Sequence, residues 1–336
     1  MGDRGRVHSI DALRGLAVLG MVMVDLVGDE DLHPVLFRHS GWEGLRVADV
    51  VFPAFLVAAG LSLHLSRRQP TMRSVLVRAG RLILIGLLIV AWGNRALGLQ
   101  PGVLQFIGVS WLGGALLTRL ERRSRLVAAL ALVVAVTALR LGLHPGGAPW
   151  SESGLDATID TALFGSRNDL GLLGMSQGVA LVATASVLGE AGVLPRRDAA
   201  RSWWCVGAGL AAVWVGVMLW VGGLPVVKRL WTPSYLALGL GVSLVVLGVL
   251  DALGRRRWGR ALLRPALDLG SNALAMFVAL VVVVRAVPDS WGGYVVDRLD
   301  AWLPSWLAAT CWPVGWALLF WAIAAELRRR RIVIRV

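Results

Sequence analysis

The sequence predicts an all-α polytopic membrane protein, a single domain built as a bundle of about ten transmembrane helices with both termini cytoplasmic. Composition is the first reason. The 336 residues are 57% hydrophobic and 16% charged, whereas soluble domains carry about 25% charged residues, and the mean hydropathy is +0.69. The second reason is that the apolar residues gather into runs approaching the ~20 residues a bilayer requires. The third is that the loops between the runs alternate between arginine-rich and arginine-poor.

Taken in order, the apolar runs fall at about 9–28, 45–66, 76–94, 102–118, 126–143, 171–190, 203–223, 233–252, 266–286 and 306–326. The first lacks a small-residue exit site before polar sequence, so it reads as a retained helix rather than a cleaved signal. One set of loops carries Arg4 and Arg6; Arg67, Arg68 and Arg73; Arg119, Arg122, Arg123 and Arg125; Arg196, Arg197 and Arg201; Arg255, Arg256, Arg257 and Arg260; and Arg328 to Arg331. The other set, at 29–43, 95–101, 144–170, 224–232 and 287–305, holds most of the acidic residues. The positive-inside rule then places the first set in the cytoplasm and makes the number of spans even. Trp42, Trp92, Trp150, Trp203, Trp204, Trp231, Trp291 and Trp306 fall at the expected interfaces, where indoles form belts.

The formal charge is +13, yet it is spread over short clusters with no groove-binding motif, which argues against a nucleic-acid partner. Cys205 and Cys311 both lie in apolar runs and read as packing residues. No metal-ligand spacing, phosphate-binding loop or nucleophile elbow occurs. No internal repeat suggests a transporter's inverted symmetry.

Charged residues inside a bilayer cost roughly 2.5–3.5 kcal/mol at a helix centre on insertion scales, so they need a partner or a purpose. The first run carries Asp11, Arg14 and Asp25. Asp11 and Arg14, spaced i,i+3, can pair, or Arg14 can help hold an anionic ligand. His64 reads as snorkelling from the second run. Gln105 and Ser110, Ser176 and Gln177, and Asp268, Ser271 and Asn272 are polar groups inside later runs. Interhelical hydrogen bonding accounts for such residues without a catalytic role. Most informative is the stretch His39-Ser40-Gly41-Trp42-Glu43-Gly44 in an outer loop, followed by a helix with Asp49 in its early turns and Pro53 inside it. A neutral histidine suits general-base catalysis on an amine or hydroxyl. Asp25 or Asp49 would be placed to orient its ring.

These residues also carry a resemblance. Ser9-Ile10-Asp11-Ala12-Leu13-Arg14-Gly15 is similar to the opening of the heparan-α-glucosaminide N-acetyltransferase family and its bacterial relatives of the YeiB/NagX type. The block from His39 to Pro53 resembles the family's HASWNGLTVADLVFP. Residues 101–109 resemble PGVLQRIGV, residues 228–235 resemble KxLWTxSY, and Gly270-Ser271-Asn272-Ala273-Leu274 resembles GxNAL. The resemblance runs from residue 9 to about 275 in order. It implies acetyl transfer from cytosolic acetyl-CoA, as co-substrate, to an amino sugar or another glycan or envelope acceptor across a bacterial cytoplasmic membrane, with no metal. His39 would be the base or the transient acyl carrier. Asp25 stands where relatives often have Asn, and Phe106 where Arg is common. The segment 165–175 keeps only the family's Gly-Leu-Leu-Gly core.

The resulting candidates are His39, Asp25 and Asp49 for catalysis, Arg14, Asp11, Gln105 and Arg81 for acyl-CoA, and Trp42, Trp231 and Asn272 for the acceptor. The lipid bilayer, acyl-CoA and a sugar-type acceptor are the expected partners, and self-association is left open. A transporter or flippase for a lipid-linked or small polar substrate is the alternative, using Asp11, Asp25 and Asp268 within the membrane.

Overall fold

The computed structural model describes residues 7–26, 34–65, 71–94, 100–143, 147–196 and 198–334. The expectations for Arg4, Arg6, Arg67, Arg68, Arg197 and most of the 95–101 loop lie outside the described residues. Helices and turns make up the described chain, with no strand among those residues. The chain forms two compact units. One comprises Trp42–Gly44 and Leu56–Val249, the other Val7–Gly41, Leu45–Phe55 and Leu250–Val336.

The second unit is built on α1 (His8–Asp25), which packs against α11 (Arg264–Ser271), α12 (Ala273–Ala286) and α14 (Ser305–Arg329); α13 (Asp289–Asp300) lies against α14. Lipid tails are as apolar as leucine, so helices in a membrane are held by close packing rather than by hydrophobic burial. The α1–α11 crossing is such a contact. A Cβ added to Gly15 would fall on the Ala266 carbonyl, and one added to Gly270 on the Asp11 carbonyl. Only glycine lets these two backbones meet.

The first unit contains the end of α2 beyond Phe55 (the helix is Val47–Leu61), then α3 (Met72–Asn94), α4 (Val103–Leu117), α5 (Arg122–Gly142), α6 (Leu155–Phe164), α7 (Leu172–Leu188), α8 (Asp198–Val221) and α9 (Pro233–Gly254) as far as Val249. α7 is its centre, packed on α4 and α5, with α3 against α4. Both α7 and α8 are apolar around most of their circumference, but α7 is largely buried whereas α8 exposes Trp203, Leu210, Trp214 and Val221. A helix apolar all round is either a core helix or one that faces lipid. α7 is the first kind and α8 the second.

Among the described residues, seven helices are long and apolar enough to cross a membrane, or eight if one broken pair counts as a span. Nine of the ten apolar runs coincide with one helix each, but two of these fall short as spans. α1 has three charges in 18 residues, and α4 has only 15 residues. The ninth run is not one helix. α11 and α12 meet at Asn272 with an 86° bend, so Asp268 and Asn272 do not share a helical face. α6 and α13 are helices within segments the sequence presents as loops.

Arg125, which the sequence places in an arginine-rich cytoplasmic loop, and Arg140 are both buried. Arg125 is buried, and its guanidinium donates to His64 Nε2 at 2.7 Å and to the Ser186 hydroxyl at 3.1 Å, and lies 3.2 Å from Glu190. His64 therefore belongs to a part-buried polar network with Arg125 and Glu190. Glu190 sits on a π-helical turn, Gly189–Val193, that ends the α7 span. Arg140 makes a two-pronged pair with Asp156, at 2.8 and 2.7 Å, tying the end of α5 to the start of α6.

Candidate active site

The site begins with one carboxylate. α2 opens at Val47, which places Asp49 at the third helical position. There a side chain can reach back to the backbone N–H preceding the helix, and its negative charge meets the positive end of the helix dipole. Asp49 Oδ2 accepts the Arg46 N–H at 2.9 Å. The same oxygen accepts the Ser40 N–H at 3.1 Å, which folds the preceding loop over the helix start. Arg46 Nη1 donates to the His39 carbonyl at 2.9 Å and latches the loop from its other side.

The second oxygen of Asp49 lies 3.0 Å from His39 Nδ1. Asp49 is fully buried, while the His39 side chain is 46% exposed. An ionised carboxylate only accepts, so it favours the hydrogen on Nδ1; in the neutral ring of that tautomer the lone pair is on Nε2. A buried carboxylate holding one tautomer of a half-exposed imidazole is the base-and-orienter half of a nucleophile-activating arrangement.

The other sequence candidates are distributed as follows. Asp25 is exposed at the last residue of α1. Arg14 is 3.5 Å from Asp11 on the same helix face. Both residues belong to the same unit as His39, as does Asn272. The side chain of Asn272 is taken up by the C-terminal segment: its amide donates to the Ile332 carbonyl at 3.1 Å and accepts the Ile334 N–H at 2.8 Å. Asp268 accepts from Trp321 Nε1 and Arg328.

Gln105, Arg81, Trp42 and Trp231 belong to the other unit. Arg81 is exposed on α3. Gln105 is buried in α4, and its Oε1 has no hydrogen-bond partner among the described residues. Trp231 corrects the sequence reading twice. It is 1% exposed, so it belongs neither to an interfacial belt nor to a surface a ligand can reach. It stacks on Phe106 at 4.5 Å and meets Tyr235 edge-on. Its backbone is left-handed, φ 52°, a strained state for a bulky residue. It directly follows the short turn Lys228–Leu230. Phe106 fills this aromatic core.

Trp42 donates its indole N–H to the Trp150 carbonyl at 2.8 Å. The guanidiniums of Arg167 and Arg229 lie 5.0 and 5.9 Å from its ring centre. These two arginines are in turn paired with Glu152 and Asp169. Beside this cluster is a cavity of about 410 Å³ lined by Trp42, Glu43, Trp150 and Glu152. Indoles and carboxylates around a small cavity suit a ligand bearing hydroxyls or an amine. Glu43, Glu152, Arg167 and Arg229 were missed from the sequence because they lie in loops without periodicity.

Asp160 on α6 is buried and accepts the backbone N–H groups of Leu172 and Asn168 at the start of α7. Burial pushes its carboxyl above the usual range, and the two backbone donors offset part of that. No group of three or more His, Cys, Asp or Glu among the described residues is placed to hold a metal ion.

Part of the chain is similar to known proteins. Residues 6–148 match the family described as heparan-alpha-glucosaminide N-acetyltransferase, catalytic. The heparan-alpha-glucosaminide N-acetyltransferase of Mus musculus is 35% identical over 130 residues, and that of Homo sapiens is 34% identical over 130 residues. Each alignment covers 33% of this chain and 19% of the relative, so the chain matches about a fifth of the length of these curated proteins. The family match spans His39, Asp49, Asp25, Arg14, Asp11, Arg81, Gln105 and Trp42, but not Trp231 or Asn272. Residues 6–148, less than half of the chain, are thus similar to the heparan-alpha-glucosaminide N-acetyltransferase catalytic family.

Proposed function

We propose that this chain transfers an acetyl group from acetyl-CoA to an amine or hydroxyl of an amino sugar or related envelope glycan, across a bacterial cytoplasmic membrane. The observation that carries the reading is the 3.0 Å contact between His39 Nδ1 and the buried Asp49, which leaves Nε2 as the basic nitrogen of the ring. In the transfer, the acceptor nitrogen or oxygen forms a bond to the thioester carbonyl carbon and the carbon–sulfur bond breaks. His39 Nε2 takes the acceptor's proton and returns it to the departing thiolate, giving free CoA. If His39 instead carries the acetyl group, the same bonds are made in two steps through an acetyl-imidazole.

Asp49, not Asp25, is the residue that orients His39 in this proposal, and Arg14 is the nearest α1 candidate for an anionic part of acyl-CoA. The 410 Å³ cavity beside Trp42 supports a polar acceptor, with Glu43 and Glu152 as hydrogen-bond acceptors for hydroxyl or ammonium groups. The match to acetyltransferases weighs against the transporter reading.

The test is CoA release by the purified chain with acetyl-CoA and a panel of amino sugars, beside His39→Ala. The expected result is acceptor-dependent release that falls by about 10²–10⁴-fold in the variant, the range for general-base catalysis. Retained turnover in folded His39→Ala removes His39 from the mechanism. Acid-quench trapping of an acetylated His39 separates the two routes.

A further inference from the structure

A second cavity lies in the second unit. It holds about 760 Å³ and is walled by the start of α1, the end of α9, α10 (Arg257–Leu262), α11 and the end of α14. That volume is within the range of small-molecule sites, about 300–1,000 Å³. Four arginines line it, Arg260, Arg264, Arg328 and Arg329, against two carboxylates, Asp268 and Glu326.

The two carboxylates are already matched. Asp268 is 2.7 Å from Arg328, and Glu326 is 2.9 Å from Arg329. Arg260 and Arg264 make no ion pair or side-chain hydrogen bond among the described residues, so two positive charges remain unspent at the wall. Topogenic arginines need only lie in a loop on the cytoplasmic side. They do not need a cavity between them. Here Leu250, Leu263 and Leu267 give the same cavity an apolar wall. Planar guanidiniums over an apolar wall match a ligand with a phosphate at one end and a ring or chain at the other.

We propose that this cavity is a phosphate-binding site in which Arg260 and Arg264 hold the phosphorylated end of an amphipathic ligand. Two sources share that chemistry: the nucleotide end of acyl-CoA, and the headgroup of an anionic lipid. The first rests on the reading that this chain uses acetyl-CoA; the second does not.

The experiment uses the full chain purified in detergent and in nanodiscs. Adenosine 3′,5′-bisphosphate is titrated by calorimetry, and retention of phosphatidylglycerol against phosphatidylcholine is read by native mass spectrometry. Both are repeated on Arg260→Gln/Arg264→Gln, on Arg260→Lys/Arg264→Lys, and on Arg123→Gln, an exposed arginine elsewhere, as control. The expected result is a loss of about tenfold or more for one probe in the double Gln variant, partly restored by the double Lys variant and absent in the control. Loss for the nucleotide assigns the site to the cofactor, and loss for phosphatidylglycerol assigns it to lipid.

Wild-type affinities for both probes retained in a folded double Gln variant overturn the proposal. Should that variant fail to fold, phenylglyoxal modification of the wild-type chain takes its place. Either probe should shield Arg260 and Arg264, and shielding by neither overturns the site. These readouts are independent of turnover. Phosphatidylglycerol retention lost in the double Gln variant, in a chain that never releases CoA, would remove the transferase reading and keep the site.

Discussion

Replacing Asp49 by Asn tests whether the buried carboxylate works through His39. Three donors converge on Asp49: His39 Nδ1 at 3.0 Å on one oxygen, and the Ser40 and Arg46 N–H groups at 3.1 and 2.9 Å on the other. An asparagine keeps one acceptor and puts an NH₂ where the other was. If the NH₂ faces the two backbone donors, both are left buried or half-buried without an acceptor, at about 1–3 kcal/mol each. If it faces His39, only that contact changes, because the imidazole can switch tautomer and accept through Nδ1. The second arrangement wins by roughly the difference between losing two bonds and rearranging one. The fold is then kept, with a stability loss of about 1–3 kcal/mol as charge-assisted bonds become neutral ones. The switched ring carries its hydrogen on Nε2, where the acceptor's proton must go.

The expected outcome is a fall in kcat of about 10²–10⁴-fold with KM little changed. Asp49→Asn should add almost nothing in a His39→Ala background, since the two residues act as one unit. CoA release gives kcat and KM, and thermal unfolding in nanodiscs gives stability. A kcat within about threefold of wild type, or the same fractional loss in the His39→Ala background, refutes the reasoning.

Three further outcomes follow from packing and charge. Arg140→Met strands Asp156 and should cost about 3–5 kcal/mol, while Arg140→Met with Asp156→Leu should cost less than the single change, because the desolvation of both ions is removed; melting temperatures of the two variants decide it. Gly270→Ala should destabilise by about 1–3 kcal/mol, since its Cβ would meet the Asp11 backbone rather than a side chain that can move. Gly80→Ala, with open space around it, should be neutral or mildly stabilising, and equal melting points for the two would contradict the close α1–α11 crossing. Asp160 holds its proton more tightly folded than unfolded, so the folded state binds more protons between the two pKa values, and stability falls as pH rises through that window from the ordinary 3.8 upward. Asp160→Asn should flatten this part of the stability–pH curve; an unchanged slope would remove Asp160 as its source.

The sequence by itself determined the helical class, the position of nearly every long helix and the pairing of His39 with a nearby carboxylate. Those properties are local. Apolar runs near the length of a bilayer leave the backbone no alternative to helix, and Asp49 reaches the loop because it sits three positions into its own helix. The tertiary structure decided what depends on partners distant in the chain. It chose Asp49 over Asp25 at His39 Nδ1, because the folding of the 39–46 loop over the helix start is set by Asp49's hydrogen bonds to Ser40 and Arg46 rather than by spacing. It broke the ninth run at Asn272, whose amide bonds to residues 332 and 334 cannot be seen from composition. Trp231 moved into the core because Phe106, 125 positions earlier, supplies its stacking face. Arg125 looks topogenic in the sequence, and only its distant partners Glu190 and Ser186 make burying it tolerable. Unspent charge at Arg260 and Arg264 likewise becomes visible only when α10, α11 and α14 enclose a cavity. A charge in a sequence has a sign and a place, but whether it is neutralised depends on what the fold brings to it.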